Sequence, residues 1–335
     1  MAKPRILINL PPTFFTETDI DARFAPLDAW ADVRRTSHNT PDEIRPDLAA
    51  ADGVIMWSWP VLDEPLLQAA PGLRFAGHID LTGAGARAEL ARGLKISLVK
   101  RGWSPAVAEL ALGLILCVLR RISDHHAAMR AGTESWVREM PRDFPPLERE
   151  LSGRPVGIIG LGGVGRRLAR LLAPFGCRIR ACDPFLPEQV ARDHGAELAS
   201  LDETLSASDV VVLAAASNPG TAHLIGAPQI ALLRENAVFV NVARAALVDT
   251  GALIQRLRRG DLFAALDVFD AEPLPADHPL RSLPNAYLSP HRAGGLRASV
   301  YRIVDWLVAD CQAAFHDRPL QFPVTEQMLP ALDGA

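Results

Sequence analysis

A glycine-rich run, Gly160-Leu161-Gly162-Gly163-Val164-Gly165, stands where an apolar segment, Pro155 to Ile159, gives way to a helical pattern. A GxGxxG in this context suits a pyrophosphate. Gly160 can make the tight turn, Gly162 lets an anion approach the backbone, and Gly165 permits close packing of helix on strand. The amides of Gly163 and Val164 then face the anion at the positive end of the helix dipole. The next strand-like segment, Arg178 to Cys182, leads into Asp183, about 20 residues past the glycines, where a carboxylate accepts from the adenosine ribose hydroxyls. A negative charge there repels a 2′-phosphate, so the motif predicts NAD rather than NADP.

Three further residues have the types needed for hydride chemistry on a 2-oxo acid, which requires a cation to hold the carboxylate and an acid to deliver a proton. Arg244 follows the segment AVFVNV, and its planar fork can grip a planar 2-oxo carboxylate at two points. His291 follows another strand end in LSPHRAGG, and Glu272 follows ALDVF. A carboxylate beside the imidazole would keep it protonated for reduction. Taken alone, Arg244 reads first as a surface arginine, while His291 reads as easily as a capping or buried histidine and Glu272 as a solvated turn residue. Asp267 can either accept from a nicotinamide carboxamide or cap a turn. His223 falls in a helix-like stretch after Thr221 and reads as structural.

The elements that must position these groups alternate between strand and helix. In the first hundred residues, β-rich runs recur at Arg5 to Leu10, Val54 to Trp57, Leu73 to Gly77 and Lys95 to Val99. A second, longer series runs from Pro155 to Leu288: strands Pro155 to Ile159, Arg178 to Cys182, Val210 to Leu213, Val238 to Val242, Phe263 to Val268 and Ala286 to Leu288, with a helix over Val164 to Phe175. Such alternation builds α/β domains with doubly wound parallel sheets. Ser104 and Pro105 open a long apolar helix running to about Arg121, read as a bridge between domains. Gly132 to Gly153 lacks periodicity and reads as a surface excursion, and an amphipathic helix follows from Leu296 to about Phe315.

The chain's 335 residues suggest two domains. Lys+Arg 35 against Asp+Glu 39 leaves a net charge of -4, with no excess of positive charge to track a phosphate backbone, so nucleic acid is not an expected partner. The three lysines, Lys3, Lys95 and Lys100, do not follow glycines, and a phosphate-loop NTPase signature is absent. Cys117, Cys177, Cys182 and Cys311 fit neither a disulfide framework nor a CxxC metal pattern and read as reduced thiols. The apolar runs Val107 to Leu119 and Val210 to Ala216 fall short of the ~20 residues of a membrane span. A cytoplasmic protein with no metal and no membrane partner is the expectation.

With these residues in place, the chain resembles the NAD-dependent D-isomer-specific 2-hydroxyacid dehydrogenases. GLGGVGRRLA is similar to the family's dinucleotide loop, and NVARAALVD, ALDVFDAEPL and LPNAYLSPH resemble its arginine, glutamate and histidine signatures in their usual order. The resemblance implies that Arg244 binds and polarises substrate and that His291, paired with Glu272, is the general acid/base. It also implies Asp183 on the ribose, Asp267 near the nicotinamide and Val242 among the cofactor-binding residues. It further implies a Rossmann-like NAD domain over 104–291, a flavodoxin-like, discontinuous substrate domain over 1–103 and 292–335 with a cleft that closes on substrate, and a homodimer with the helix after Ser104 and its neighbours at the interface.

The chain departs from that family in places. His78-Ile79-Asp80-Leu81 occupies the loop that in relatives carries glycines and lines the substrate carboxylate pocket, so Ile79 and Asp80 are candidate substrate contacts in an altered pocket. Lys100-Arg101-Gly102-Trp103 replaces a neutral run, and Lys100, Arg101 and Trp103 would admit a larger or more acidic substrate or simply form a solvated hinge. Ala214, Ala216 and Ala245 also differ from the usual residues around the cofactor. Two alternatives stay open: an NADH-sensing binding protein like the corepressors that resemble this family, and a dehydrogenase of another small anion such as formate or phosphite.

Overall fold

The computed structural model describes residues 3–332. It divides into two compact units: one takes the chain up to Trp103, Asn218–Gly220 and Leu296 onward, the other Ser104–Ser217 and Thr221–Gly295. The return to the first unit thus falls at Leu296, where the sequence placed it at 292. Residues 1–2 and 333–335 of the expected first domain lie outside the described residues.

The first unit carries five parallel strands, β1 (Arg5–Asn9), β2 (Asp32–Thr36), β3 (Gly53–Met56), β4 (Phe75–His78) and β5 (Lys95–Leu98), in the order β2-β1-β3-β4-β5. This is the flavodoxin-like winding. The central strands are apolar on both faces because helices cover both, as β3 shows with every residue buried. The helix Arg297–Phe315 lays Ile303, Val304, Leu307, Val308 and Cys311 on one side, at helical spacing, against Ile6, Ile8 and Phe75 of this sheet. Asp310, fully buried on the same helix, accepts from Ser97 Oγ at 2.5 Å and from the Gln321 and Phe322 amides, tying the helix to β5 and to the final segment.

The second unit holds seven parallel strands: β6 (Pro155–Ile159), β7 (Arg178–Cys182), β8 (Ala196–Leu198), β9 (Val210–Leu213), β10 (Ala237–Asn241), β11 (Leu262–Leu266) and β12 (Ala286–Leu288). Their order, β12-β11-β10-β9-β6-β7-β8, reverses direction between β6 and β9 and is that of a Rossmann-like sheet with one strand added. Val210, Val212, Val238 and Val240 are fully buried, each such side chain contributing roughly 1.5–3 kcal/mol of burial energy. Both units are therefore α/β and doubly wound.

The chain between the strands corrects two expectations. Lys100–Trp103 is helical and continues into Ser104–Leu119, so this run of 20 residues, whose most apolar 18-residue stretch has a mean hydropathy of 1.8, is long and apolar enough to match a membrane span. Within the second unit, however, Ala108, Ala111, Ile115 and Leu119 of the helix Ser104–Leu119 are buried with Leu168 and Leu172, which marks a core helix. His223 stands in a turn at φ 51°, exposed, with its amide donating to the Ala246 carbonyl at 2.9 Å, not in a helix. No regular helix or strand forms over Thr133–Arg154, as the sequence suggested.

Candidate active site

The turn after β6 is built as the glycines dictate. Gly160 has φ 91°, and a Cβ on it would lie 2.5 Å from Ala215 Cα. A Cβ on Gly165 would lie 2.2 Å from the Gly160 carbonyl oxygen, which is why helix and strand can approach only through glycine. Gly162 differs: it is exposed, and a Cβ there would meet nothing within 4 Å. The helix Gly163–Leu172 that starts beside it has no side-chain cap, so its first-turn amides are left for an anion. Gly163 and Val164 are only half-buried.

Asp183, directly after β7, reaches back to this turn. One of its oxygens accepts from the Leu161 amide at 2.9 Å and the other from the Phe185 amide at 3.2 Å. The two bonds fix its orientation and leave lone pairs, since an ionised carboxylate has about four acceptor positions. An uncapped helix start, an open glycine and an anchored carboxylate at the crevice where strand order reverses fit a nicotinamide dinucleotide. Val242 is 6% exposed with its side chain in the core, which leaves only its backbone for the cofactor contact expected of it.

The loops after β10 and β11 hold the polar groups. Asn241, the buried last residue of β10, donates from its side chain to the Arg244 carbonyl at 3.0 Å and accepts from the Ala243 amide at 3.0 Å. This bracket shapes the loop so that Arg244 emerges extended, at φ -147°, and exposed, with Nη1 donating to the Ala243 carbonyl at 2.7 Å. Asn241 is a positioning residue that sequence reasoning passed over; its place at the strand end in NVAR was the available signal.

His291 lies in the loop after β12 at φ 51°, with its side chain 47% exposed. Its Nδ1 is 2.6 Å from Glu272 Oε2, and Glu272 Oε1 accepts from the Phe269 amide at 3.0 Å. Burial by itself raises the Glu272 carboxyl, but the bonds from His291 and Phe269 and the charges of His291 and Arg244 outweigh it and hold it below the usual carboxylate range. Glu272 is thus ionised at neutral pH and can only accept, so Nδ1 carries the hydrogen and Nε2 is left for exchange with a reactant.

Asp267 shows the turn-capping role that the sequence offered as one of two. It is fully buried, and its carboxylate accepts from Ser289 Oγ at 2.5 Å, from the Arg292 amide at 2.9 Å and from the Ala293 amide at 2.8 Å. It caps the turn that carries His291. Ser289 is a second positioning residue not singled out from sequence.

In the first unit, the candidate substrate contacts have partners of their own. Ile79 is 1% exposed and its amide donates to the Met56 carbonyl at 3.1 Å, so neither its side chain nor its N–H is open to substrate. Asp80 is not a free carboxylate: Oδ1 binds Lys100 Nζ at 2.8 Å and the Leu81 amide at 3.0 Å. Lys100 is correspondingly committed to Asp80. Arg101 is exposed, and Trp103 is half-buried with its ring 6.4 Å from that of Trp57. Among the described residues no cluster of His, Cys, Asp or Glu has the makings of a metal site.

Residues 112–293 match the family model for the NAD binding domain of D-isomer specific 2-hydroxyacid dehydrogenases. The chain is 32% identical over 270 residues to a D-3-phosphoglycerate dehydrogenase of Methanocaldococcus jannaschii, covering 79% of this chain and 50% of that one, so it spans half the length of that relative. It is 30% identical over 306 residues to a glyoxylate reductase of Aeropyrum pernix, covering 90% of each. Among solved structures, a phosphoglycerate oxidoreductase from Rhizobium etli aligns with a TM-score of 0.85 at 28% identity, over 98% of this chain and 100% of that one. The match to the family model contains the glycine turn, Arg244, Glu272 and His291, and with it the nicotinamide dinucleotide that the turn fits; the chain belongs to the D-isomer-specific 2-hydroxyacid dehydrogenases, oxidoreductases of 2-hydroxy acids.

Proposed function

We propose that this protein interconverts a 2-oxo acid and the D-2-hydroxy acid, with NAD(H) rather than NADP(H) as its dinucleotide. The observation that carries the reading is the 2.6 Å pairing of an exposed imidazole, His291, with Glu272, a carboxylate also within the field of Arg244. The dinucleotide, when bound, supplies or accepts the hydride. Arg244 holds the substrate carboxylate with its fork and draws electron density from the carbonyl. In reduction, the His291 imidazolium gives its Nε2 proton to the carbonyl oxygen as C2 gains hydride, while Glu272 keeps the Nδ1 hydrogen in place. The neutral imidazole is then reprotonated from solvent; oxidation reverses each transfer. The preference for NAD rests on the Asp183 carboxylate, which opposes a 2′-phosphate.

The test is NADH oxidation against glyoxylate, hydroxypyruvate, pyruvate, phenylpyruvate, oxaloacetate and 2-oxoglutarate. Turnover of at least one is expected, and His291→Ala is expected to lower kcat by about 10²–10⁴-fold while NADH still binds. NADH binding with no turnover of any 2-oxo acid would overturn the reading.

We also infer that the protein is a homodimer in a reducing, cytoplasmic setting. Ile122, Met129, Trp136, Val137, Met140 and Phe144 are all more than half exposed on the helix Ile122–Ala131 and the segment after it, with Met140 at 77%. Apolar surface gathered in this way calls for a partner, and a second copy of the chain is the one proposed. Light scattering should give twice the mass of one chain, and Met140→Asp should lower it. The four free thiols agree with the setting.

A further inference from the structure

β12 stands at the edge of the second sheet, where its three residues pair with β11: Ala286 with Ala264, Tyr287 with Ala265 and Leu288 with Leu266. So short a ladder, with a neighbour on one side, leaves the strand in need of a second restraint. Tyr287 supplies one. Its side chain lies in the core with Ala265, Ile115 and Leu119, and its hydroxyl donates to Asp124 Oδ2 at 2.6 Å. Burial and the Asp124 carboxylate push that hydroxyl well above the ordinary tyrosine range, so it remains a donor at every working pH.

The other end of the bond is itself fixed. Asp124 is in the first turn of the helix Ile122–Ala131, whose residues are all half-buried or exposed. Arg121, just before that helix, takes the left-handed conformation at φ 48°, which a residue with a Cβ adopts at some cost. Its Nε donates to the same Asp124 oxygen at 2.9 Å, and its carbonyl accepts from the His125 amide at 3.0 Å.

From Tyr287 to His291 the chain has little slack. Leu288, Ser289 and Pro290 intervene, with no glycine among them and a proline whose φ is fixed. The Ser289 amide donates to the Leu266 carbonyl at 3.0 Å, and the His291 amide to the Ser289 carbonyl at 3.0 Å. Glu272 comes from a different loop, after β11, so the 2.6 Å pairing of His291 Nδ1 with its Oε2 depends on where β12 lies against β11. A misplacement of about 1 Å at a reacting group can cost about 10²-fold in rate.

We propose that Tyr287 and Asp124 are positioning residues for His291: their bond anchors the edge strand that carries the imidazole and so keeps Nδ1 against Glu272. The inference rests on the reaction proposed above and adds to it two residues that act through the backbone.

The experiment compares the wild type, Tyr287→Phe, Asp124→Ala and Asp124→Asn in NADH-dependent reduction of whichever 2-oxo acid turns over fastest, alongside hydrogen–deuterium exchange over residues 286–293. Tyr287→Phe keeps the ring in the core and leaves Asp124 to Arg121 and water, so the variant folds. Its kcat is expected to fall by about tenfold or more, with KM and the NADH dissociation constant within about twofold of wild type. Exchange over 286–293 should rise with it. Asp124→Ala should behave alike, whereas Asp124→Asn, whose amide oxygen still accepts from the hydroxyl, should keep kcat within about threefold of wild type. A wild-type kcat or unchanged exchange in Tyr287→Phe overturns the proposal, and so does a loss that Asp124→Asn shares in full. A fall in kcat matched by a fall in the number of NADH sites would mean lost fold and overturn it equally. If the wild type reduces no 2-oxo acid, the reaction proposed above is overturned, while raised exchange in Tyr287→Phe still supports the anchoring of the loop.

Discussion

Asp267 holds His291 through the backbone: the His291 amide donates to the Asp267 carbonyl at 2.9 Å, while the Asp267 carboxylate takes the next two amides, those of Arg292 and Ala293. This network explains how a non-glycine residue is kept at φ 51°, a conformation that costs energy unless the surroundings over-determine it. Buried Asp267 acts by placing the imidazole of a neighbour.

Asp267→Asn should therefore impair catalysis without impairing folding as a whole. The amide side chain turns one acceptor into a donor facing N–H or O–H donors, at a local cost of about 1–3 kcal/mol. We expect kcat to fall by about tenfold or more with the NADH dissociation constant little changed. Stopped-flow kinetics with a parallel NADH titration checks this, and a loss confined to NADH binding would show that Asp267 serves the cofactor instead.

The Glu272 carboxyl is held below its ordinary value, and the sign of its linkage follows. Its contribution to the folded loop is complete above the unfolded-state value of about 4.3 and is lost as pH falls through the lower folded value. The His291–Glu272 pair should thus survive mild acid. Glu272→Gln removes the titration and offers Nδ1 an amide that can donate, favouring the wrong tautomer. A fall in kcat of about 10²–10⁴-fold at neutral pH is expected. A pH–rate profile of the variant that matched the wild type in height and shape would rule out the pairing.

How much of this was legible in the sequence follows burial and separation. β6 and β9 were readable because all their residues are buried, and the helix after Gly163 because its apolar residues recur on one face. The edge strands β2 and β8 were not, since DVRRT and AEL are flanked by a neighbour on one side alone and carry no apolar pattern. Arg244, Glu272 and His291 stood out as chemistry-bearing residues at strand ends. The groups that hold them did not: Asn241 and Ser289 act by hydrogen bonds whose partners only the loop geometry reveals. Lys100 read as a free cation because nothing local announces that Asp80, far along the chain, meets it at 2.8 Å. Ile79 read as a pocket residue for a similar reason, its burial shared with a core cluster of residues distant in the chain.

Gly162 offers a clean separation of folding from cofactor binding. Gly160 and Gly165 cannot take a side chain without collision, but Gly162 sits at φ -74° facing open space. Gly162→Val should fold with an unchanged melting temperature and place its methyl groups over the amides that receive the pyrophosphate. The NADH dissociation constant is expected to rise by at least about tenfold. Unchanged affinity in calorimetry would mean that the anion is held elsewhere.

A buried pair in the first unit bears on stability. His78, the last residue of β4, is 1% exposed and bonds through Nε2 to Glu89 Oε2 at 2.9 Å, with Glu89 0% exposed on the helix Gly83–Ala91. Their other polar atoms, His78 Nδ1 and Glu89 Oε1, have no partner among the described residues. Such a pair returns little net energy, because both groups have been taken from water, yet removing one member strands the other. Glu89→Ala should then cost about 3–5 kcal/mol, whereas replacing both, His78→Phe with Glu89→Leu, should recover most of that loss. Urea unfolding of the two single variants and the double variant gives the coupling directly. If the double variant lost the sum of the two single losses, the residues would be contributing by packing alone and the bond between them would carry no energy.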